Sequence, residues 1–155
     1  MMYASGAGMH FGTNARTVAL RGSYLLTWGP MPVQKRSSIF VVDDDASIRC
    51  SIERLLRTHG VDAKLFDSSE ALFDHDDFST ALCIIIDIDL NGQSGIELRR
   101  SLTEQGIAAP VIFITGNDSE TNRSAAIESG CIAYLNKPFT AQSIFEAVAR
   151  ARASV

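Results

Sequence analysis

Leu82-Cys83-Ile84-Ile85-Ile86-Asp87 is an apolar run of strand length that ends on a carboxylate. It lacks the in-out alternation of a half-exposed strand, so it reads as a central strand of a parallel sheet, covered on both faces. Val111-Ile112-Phe113-Ile114, followed by Thr115, has the same character, and Ser38 to Val42 leads into Asp43-Asp44-Asp45. Ala63 to Phe66 carries Lys64 among apolar neighbours, which suits a sheet edge. Ile132 to Leu135 supplies the last strand.

Helical patterns separate these runs. After the first strand, Asp45 is a cap, and Ile48, Ile52, Leu55 and Leu56 keep helical spacing until Gly60 stops the helix. The second helix is expected to start near Ser68. Ser94 with Glu97, and Asn117 with Glu120, have capping-box spacing and mark the third and fourth starts. Thr140 caps a last helix carrying Ile144, Val148 and Ala151. Strand then helix, five times over, with right-handed crossovers, predicts an open α/β sheet with helices on both faces.

The chain has 155 residues, 46% of them hydrophobic, enough for one core and too few for two ordinary domains. No apolar run approaches membrane-spanning length. Residues 1–36 read as an unstructured extension and 37–155 as the folded domain. The extension holds Arg16, Arg21, Lys35 and Arg36 and no acid, which leaves ten basic against 18 acidic residues in the body, a net −8. That balance argues against a general nucleic-acid surface on the folded part. Cys50, Cys83 and Cys131 show no CxxC pair and read as small core hydrophobes of a reduced, cytoplasmic compartment.

In such a sheet the chemistry gathers past the carboxyl ends of the strands. Those ends carry Asp43 and Asp44, Asp87, Thr115 and, two residues after Leu135, Lys137. Adjacent acids beside a buried strand are costly without a cation, and an all-oxygen cluster suits Mg²⁺ or Mn²⁺. A carboxylate is a nucleophile toward phosphorus once a metal and a cation offset the repulsion between anions. Lys137 is placed to supply the cation and Thr115 a hydroxyl donor. Singly, an Asp pair is a solvated turn, a strand-end threonine a local cap, and a lysine before proline a surface charge. Their combination in this order is the specific signal.

Val41-Val42-Asp43-Asp44-Asp45, Ile85-Ile86-Asp87, Ser94-Gly95, Ile114-Thr115-Gly116 and Lys137-Pro138-Phe139 resemble the receiver domain of two-component response regulators, in particular its FixJ-like branch. The resemblance covers roughly Ser37 to Ala151. It implies a flavodoxin-like fold with strand order 2-1-3-4-5. It also implies Asp87 as phosphoacceptor, fed by a sensor histidine kinase or a histidine phosphotransfer protein. Asp44 and Asp87 would hold Mg²⁺ directly, Asp43 largely through water, and the Asp89 backbone carbonyl would complete the set. Thr115 and Lys137 would hold phosphoryl oxygens, with Lys137-Pro138 cis. Tyr134 would be the aromatic partner of Thr115 in a two-state switch, read out on the face of the fourth helix, fifth strand and fifth helix by a second copy or a target protein. The bland reading of Tyr134 is a half-covered edge-strand side chain.

The sequence departs from that family's pattern at two places. Asn91-Gly92 stands where a proline four residues past the acceptor is usual, which predicts a looser loop. Asp89 adds an acid beside the expected path of an attacking water; a solvated loop charge is its plainer reading. Asp87-Ile88-Asp89 after an apolar strand also fits a phosphatase of the haloacid-dehalogenase kind, with Asn91 where threonine or valine is expected and no room for a cap domain. A phosphorylation-independent binding module on the same fold is the third reading. With no output module before Val155, the chain as given is expected to act through docked partners, unless a DNA-binding domain followed it.

Overall fold

The computed structural model describes residues 16–19, 25–28 and 37–154. The chain divides into two units, Met1–Lys35 and Arg36–Val155. In the first, strands Arg16–Ala19 and Leu25–Trp28 pair antiparallel. The reading of 1–36 as an unstructured extension therefore does not hold for these two segments. Their β-branched and aromatic residues, Thr17, Val18, Thr27 and Trp28, favour extended backbone, and the basic charges on either side obscured that signal. The remainder of 1–36 lies outside the described residues.

The second unit alternates β1 (Ser38–Val42), α1 (Ala46–Arg57), β2 (Asp62–Phe66), α2 (Ser69–His75), β3 (Ala81–Asp87), α3 (Gly95–Glu104), β4 (Val111–Thr115), α4 (Glu120–Glu128), β5 (Ala133–Asn136) and α5 (Ala141–Ala153). All neighbouring strands run parallel in the order β2-β1-β3-β4-β5, the flavodoxin-like arrangement. The edge position of β2 agrees with Lys64, whose ammonium lies 5.4 Å from the centre of the Phe40 ring.

Because strand side chains alternate, the sheet feeds two apolar layers. Phe40, Val42, Ile84, Ile86 and Phe113 pack with Leu72, Leu98 and Leu102 of α2 and α3. Ile39, Val41, Ile85, Ile112 and Ile114 pack with Ile52 and Leu56 of α1 and Ile144 and Val148 of α5. The named strand residues are all fully buried, which is why these runs show no polar alternation.

Asp45, Ser68, Ser94 and Thr140 cap α1, α2, α3 and α5 as expected. Ser119, not Asn117, caps α4, its hydroxyl accepting from the Asn122 N–H at 3.0 Å. The Asn117 N–H is engaged by the Thr115 hydroxyl, and the loop continues for two more residues to the cap. Asn91-Gly92 also differs from expectation. It closes a two-residue hairpin between Asp89–Leu90 and Gln93–Ser94, with φ of 54° and 92°. Positive φ at both central residues is the type I′ signature that Asn-Gly favours, so the loop is tightly turned rather than loose.

Parallel register sets the heights of the strand ends. Val42 lies opposite Ile86, Asp87 opposite Ile114, and Thr115 opposite Asn136. The loops after β1, β3, β4 and β5 thus leave the sheet at nearly one level.

Candidate functional site

At that level Asp43, Asp44, Asp45, Asp87, Asp89, Gly116, Asn117 and Lys137 line one depression. Asp43 and Asp87 are buried polar residues at its floor, and Asp44 is exposed at its rim. The β1 turn is stitched from several sides. The Asp43 N–H donates to the Phe66 carbonyl, the Asp45 N–H donates to Asp43 Oδ1 at 2.9 Å, and Arg49 Nη1 donates to the Asp43 carbonyl at 2.6 Å. Asp45 itself caps α1, and its hydrogen bonds from Ser47 hold its carboxyl below the usual carboxylate range.

Lys137 Nζ donates to Asp43 Oδ2 and to Asp87 Oδ2, each at 2.9 Å. Burial works against the ammonium, but these hydrogen bonds to Asp87 and Asp43 outweigh it, so its pKa stands above the ordinary lysine value. Burial pushes the Asp43 carboxyl up, the nearby Asp87 charge adds to this, and the Asp45 N–H and Lys137 offset it only in part. Lys137 follows β5; its N–H donates to the Thr115 carbonyl at 2.8 Å, and its peptide to Pro138 is cis, as expected.

One carboxylate oxygen from each of Asp43, Asp44 and Asp87 lies within 4.8 Å of the other two. Three carboxylates facing one ammonium leave excess negative charge, and the donors are all hard oxygens. The set fits Mg²⁺ or Mn²⁺, which take oxygen ligands and retain water, and does not fit a thiolate- or imidazole-seeking ion. Asp89 lines the depression, with its side chain exposed and its Oδ1 accepting from the Gly92 N–H at 3.1 Å. Its own N–H donates to Asp87 Oδ1 at 3.0 Å.

Thr115 is buried behind the depression, its Oγ1 accepting from the Asn117 N–H at 2.9 Å. Tyr134 lies apart from the acids. Its hydroxyl donates to Asp118 Oδ1 at 3.1 Å, and its ring lies 5.5 Å under the Arg123 guanidinium. Burial and the Asp118 carboxylate raise the Tyr134 hydroxyl pKa.

A family model described as the response regulator receiver domain matches residues 39–149. The chain is a receiver domain. Among curated relatives, this receiver is 33% identical over 112 residues to the transcriptional regulatory protein TdiR of Thauera aromatica, covering 72% of this chain and 49% of that protein. It is 32% identical over 104 residues to the transcriptional regulatory protein FixJ of Bradyrhizobium diazoefficiens, covering 67% of this chain and 51% of that one. The chain spans about half the length of such relatives. Among solved structures, that of FixJ-N matches with TM-score 0.69 at 30% identity, covering 77% of this chain and 95% of the other. A response regulator receiver protein from Burkholderia phymatum matches with TM-score 0.67 at 38% identity, covering 76% and 95%. Kinship with receivers of the FixJ-like kind favours the receiver reading of the chain over the phosphatase one, and leaves Asp89 as a departure from that family's pattern.

Arg49 and Asp118 make contacts that no local motif announces, and the sequence points to Asn117 only as a helix cap. Cys50 is exposed and Cys131 only partly covered, so of the three cysteines Cys83 alone is a core residue, its thiol pushed up to about 12 by burial. No helix among the described residues is long and apolar enough to cross a membrane.

Proposed function

We propose that this receiver accepts a phosphoryl group on an Asp87 carboxylate oxygen from the phosphohistidine of a sensor histidine kinase or histidine phosphotransfer protein. The observation that carries this reading is the placement of Lys137 Nζ at 2.9 Å from both Asp43 and Asp87, inside the acid cluster. An oxygen of Asp87 attacks phosphorus, the O–P bond forms, and the N–P bond to the donor imidazole breaks with its electron pair returning to nitrogen.

Asp44 and Asp87, with Asp43 through water and the Asp89 carbonyl, would hold Mg²⁺ or Mn²⁺, which when bound would supply charge neutralisation at the phosphoryl oxygens. Lys137 is poised to exchange a carboxylate contact for a phosphoryl oxygen, and the Thr115 hydroxyl turns to donate to another. Tyr134 then fills the space that Thr115 leaves, which changes the face of α4, β5 and α5 seen by a second copy or a target protein. The protein signals by occupancy and turns over no substrate beyond its own phosphoryl group.

Intact-mass spectrometry after treatment with acetyl phosphate tests this. A Mg²⁺-dependent gain of one phosphoryl group is expected in the wild type and none in Asp87→Asn. Labelling that persists in the variant would place the acceptor elsewhere.

A further inference from the structure

Asp118 stands three residues past Thr115 and one before the α4 cap, outside the acid cluster. Its carboxylate gathers three donors from two elements: Tyr134 Oη at 3.1 Å and Asn136 Nδ2 at 3.1 Å from β5, and Arg123 Nη2 at 2.5 Å from α4. Arg123 also covers the Tyr134 ring, so the phenol is held at its hydroxyl and over its face by a single ion pair. The same loop is tied at its base, where the Asn117 N–H donates to Thr115 Oγ1 and the Asn117 carbonyl accepts from Asn122 Nδ2.

We propose that Asp118 is a latch, a positioning residue that holds Tyr134 at the surface and sets how readily the switch responds to the acceptor site. The inference rests on the acceptor reading of Asp87 only for what opens the latch. When the Thr115 hydroxyl turns toward an anion on Asp87, the Asn117 N–H loses its acceptor and the loop carrying Asp118 is released. Tyr134 can move inward only by giving up Asp118 and the Arg123 stack. The two events share one loop, so their coupling is reciprocal: weakening the latch strengthens the response to an anion at Asp87. The Arg123–Asp118 pair is substantially solvent-exposed, with side-chain exposures of 52% and 35%, so the bias is modest.

The test uses the full chain with 3-fluorotyrosine at its three tyrosines, the Tyr134 ¹⁹F resonance being assigned with Tyr134→Phe. In Asp118→Ala the Tyr134 resonance is expected to broaden or split without any anion present. The affinity for beryllofluoride in saturating Mg²⁺ is expected to rise about three- to tenfold, the worth of one hydrogen bond, with Mg²⁺ affinity unchanged. Asp118→Asn keeps an acceptor for the Tyr134 hydroxyl but loses the charge facing Arg123, and is expected to fall between; it also serves should the alanine variant fold poorly. A Tyr134 resonance that stays single and sharp in both variants, or an unchanged beryllofluoride affinity in a wild type that responds, overturns the latch. If beryllofluoride binds the wild type but leaves its Tyr134 resonance unmoved, the latch is overturned; if it does not bind in saturating Mg²⁺, it is the acceptor reading that fails. The latch is then judged from the anion-free spectra alone, where broadening in Asp118→Ala supports it and sharpness removes it.

Discussion

Asp43 is fully buried within reach of a second carboxylate, and its raised pKa means that the fold tolerates its charge at a cost. A carboxyl whose folded pKa exceeds its unfolded value favours the native state only while protonated. That contribution is present below about pH 4 and is lost as pH rises through the folded pKa. At neutral pH without metal, Asp43→Asn should therefore stabilise the protein, by about 1 kcal/mol, because the amide keeps an acceptor for the Asp45 N–H and sheds the buried charge. Thermal melts of both proteins from pH 7 to pH 4 in EDTA check this: the melting point of the variant should be higher at pH 7, and the difference should shrink on acidification. A variant less stable than wild type at pH 7 would mean that the Lys137 contact outweighs burial at this residue.

At the scale of an element, Gly95 explains how α3 meets β3. The Gly95 N–H donates to the Ile88 carbonyl at 2.7 Å, and a Cβ built on Gly95 would lie 2.1 Å from the Asp87 carbonyl oxygen. The obstacle is backbone, which has no rotamer to yield, so Gly95→Ala should cost about 1–3 kcal/mol and displace the Asp87 backbone. Urea melts should show the lowered midpoint, and an unchanged midpoint would mean that the first turn of α3 can shift freely. Which elements were legible in the sequence follows from the same kind of locality. The three central strands were readable because each is buried on both faces, and four of the five caps because a Ser, Thr or Asp side chain serves its own helix. The α4 start was misread because Asn117 has a capping side chain and a glutamate three residues on, while its N–H had already been taken by Thr115. Asn91-Gly92 is the dipeptide a type I′ turn favours, but the Asp89–Ser94 hairpin it closes has strands of only two residues, too short to show an alternating pattern. Asp118 was invisible because two of its three side-chain partners lie 16 and 18 residues away.

Across the whole molecule, the acid cluster exists only when the sheet is assembled, for Lys137 lies 94 residues from Asp43 and 50 from Asp87 along the chain. An ion that needs this cluster binds the native state alone and must raise stability by mass action: about 2.7 kcal/mol at one hundred times its dissociation constant, or about 10 °C in melting temperature for a domain of this size. Asp44 separates that effect from the intrinsic cost of burying charge. Its side chain is exposed, so Asp44→Asn should leave the metal-free stability within about 0.5 kcal/mol of wild type, the range for surface substitutions. It should nevertheless lose most of the increment produced by Mg²⁺, because one of the three clustered oxygens is no longer anionic. Potassium chloride at equal ionic strength controls for screening of the acidic body. If Mg²⁺ raises the melting point of Asp44→Asn as far as that of the wild type, Asp44 is no ligand, and the increment must come from Asp43 and Asp87 without it.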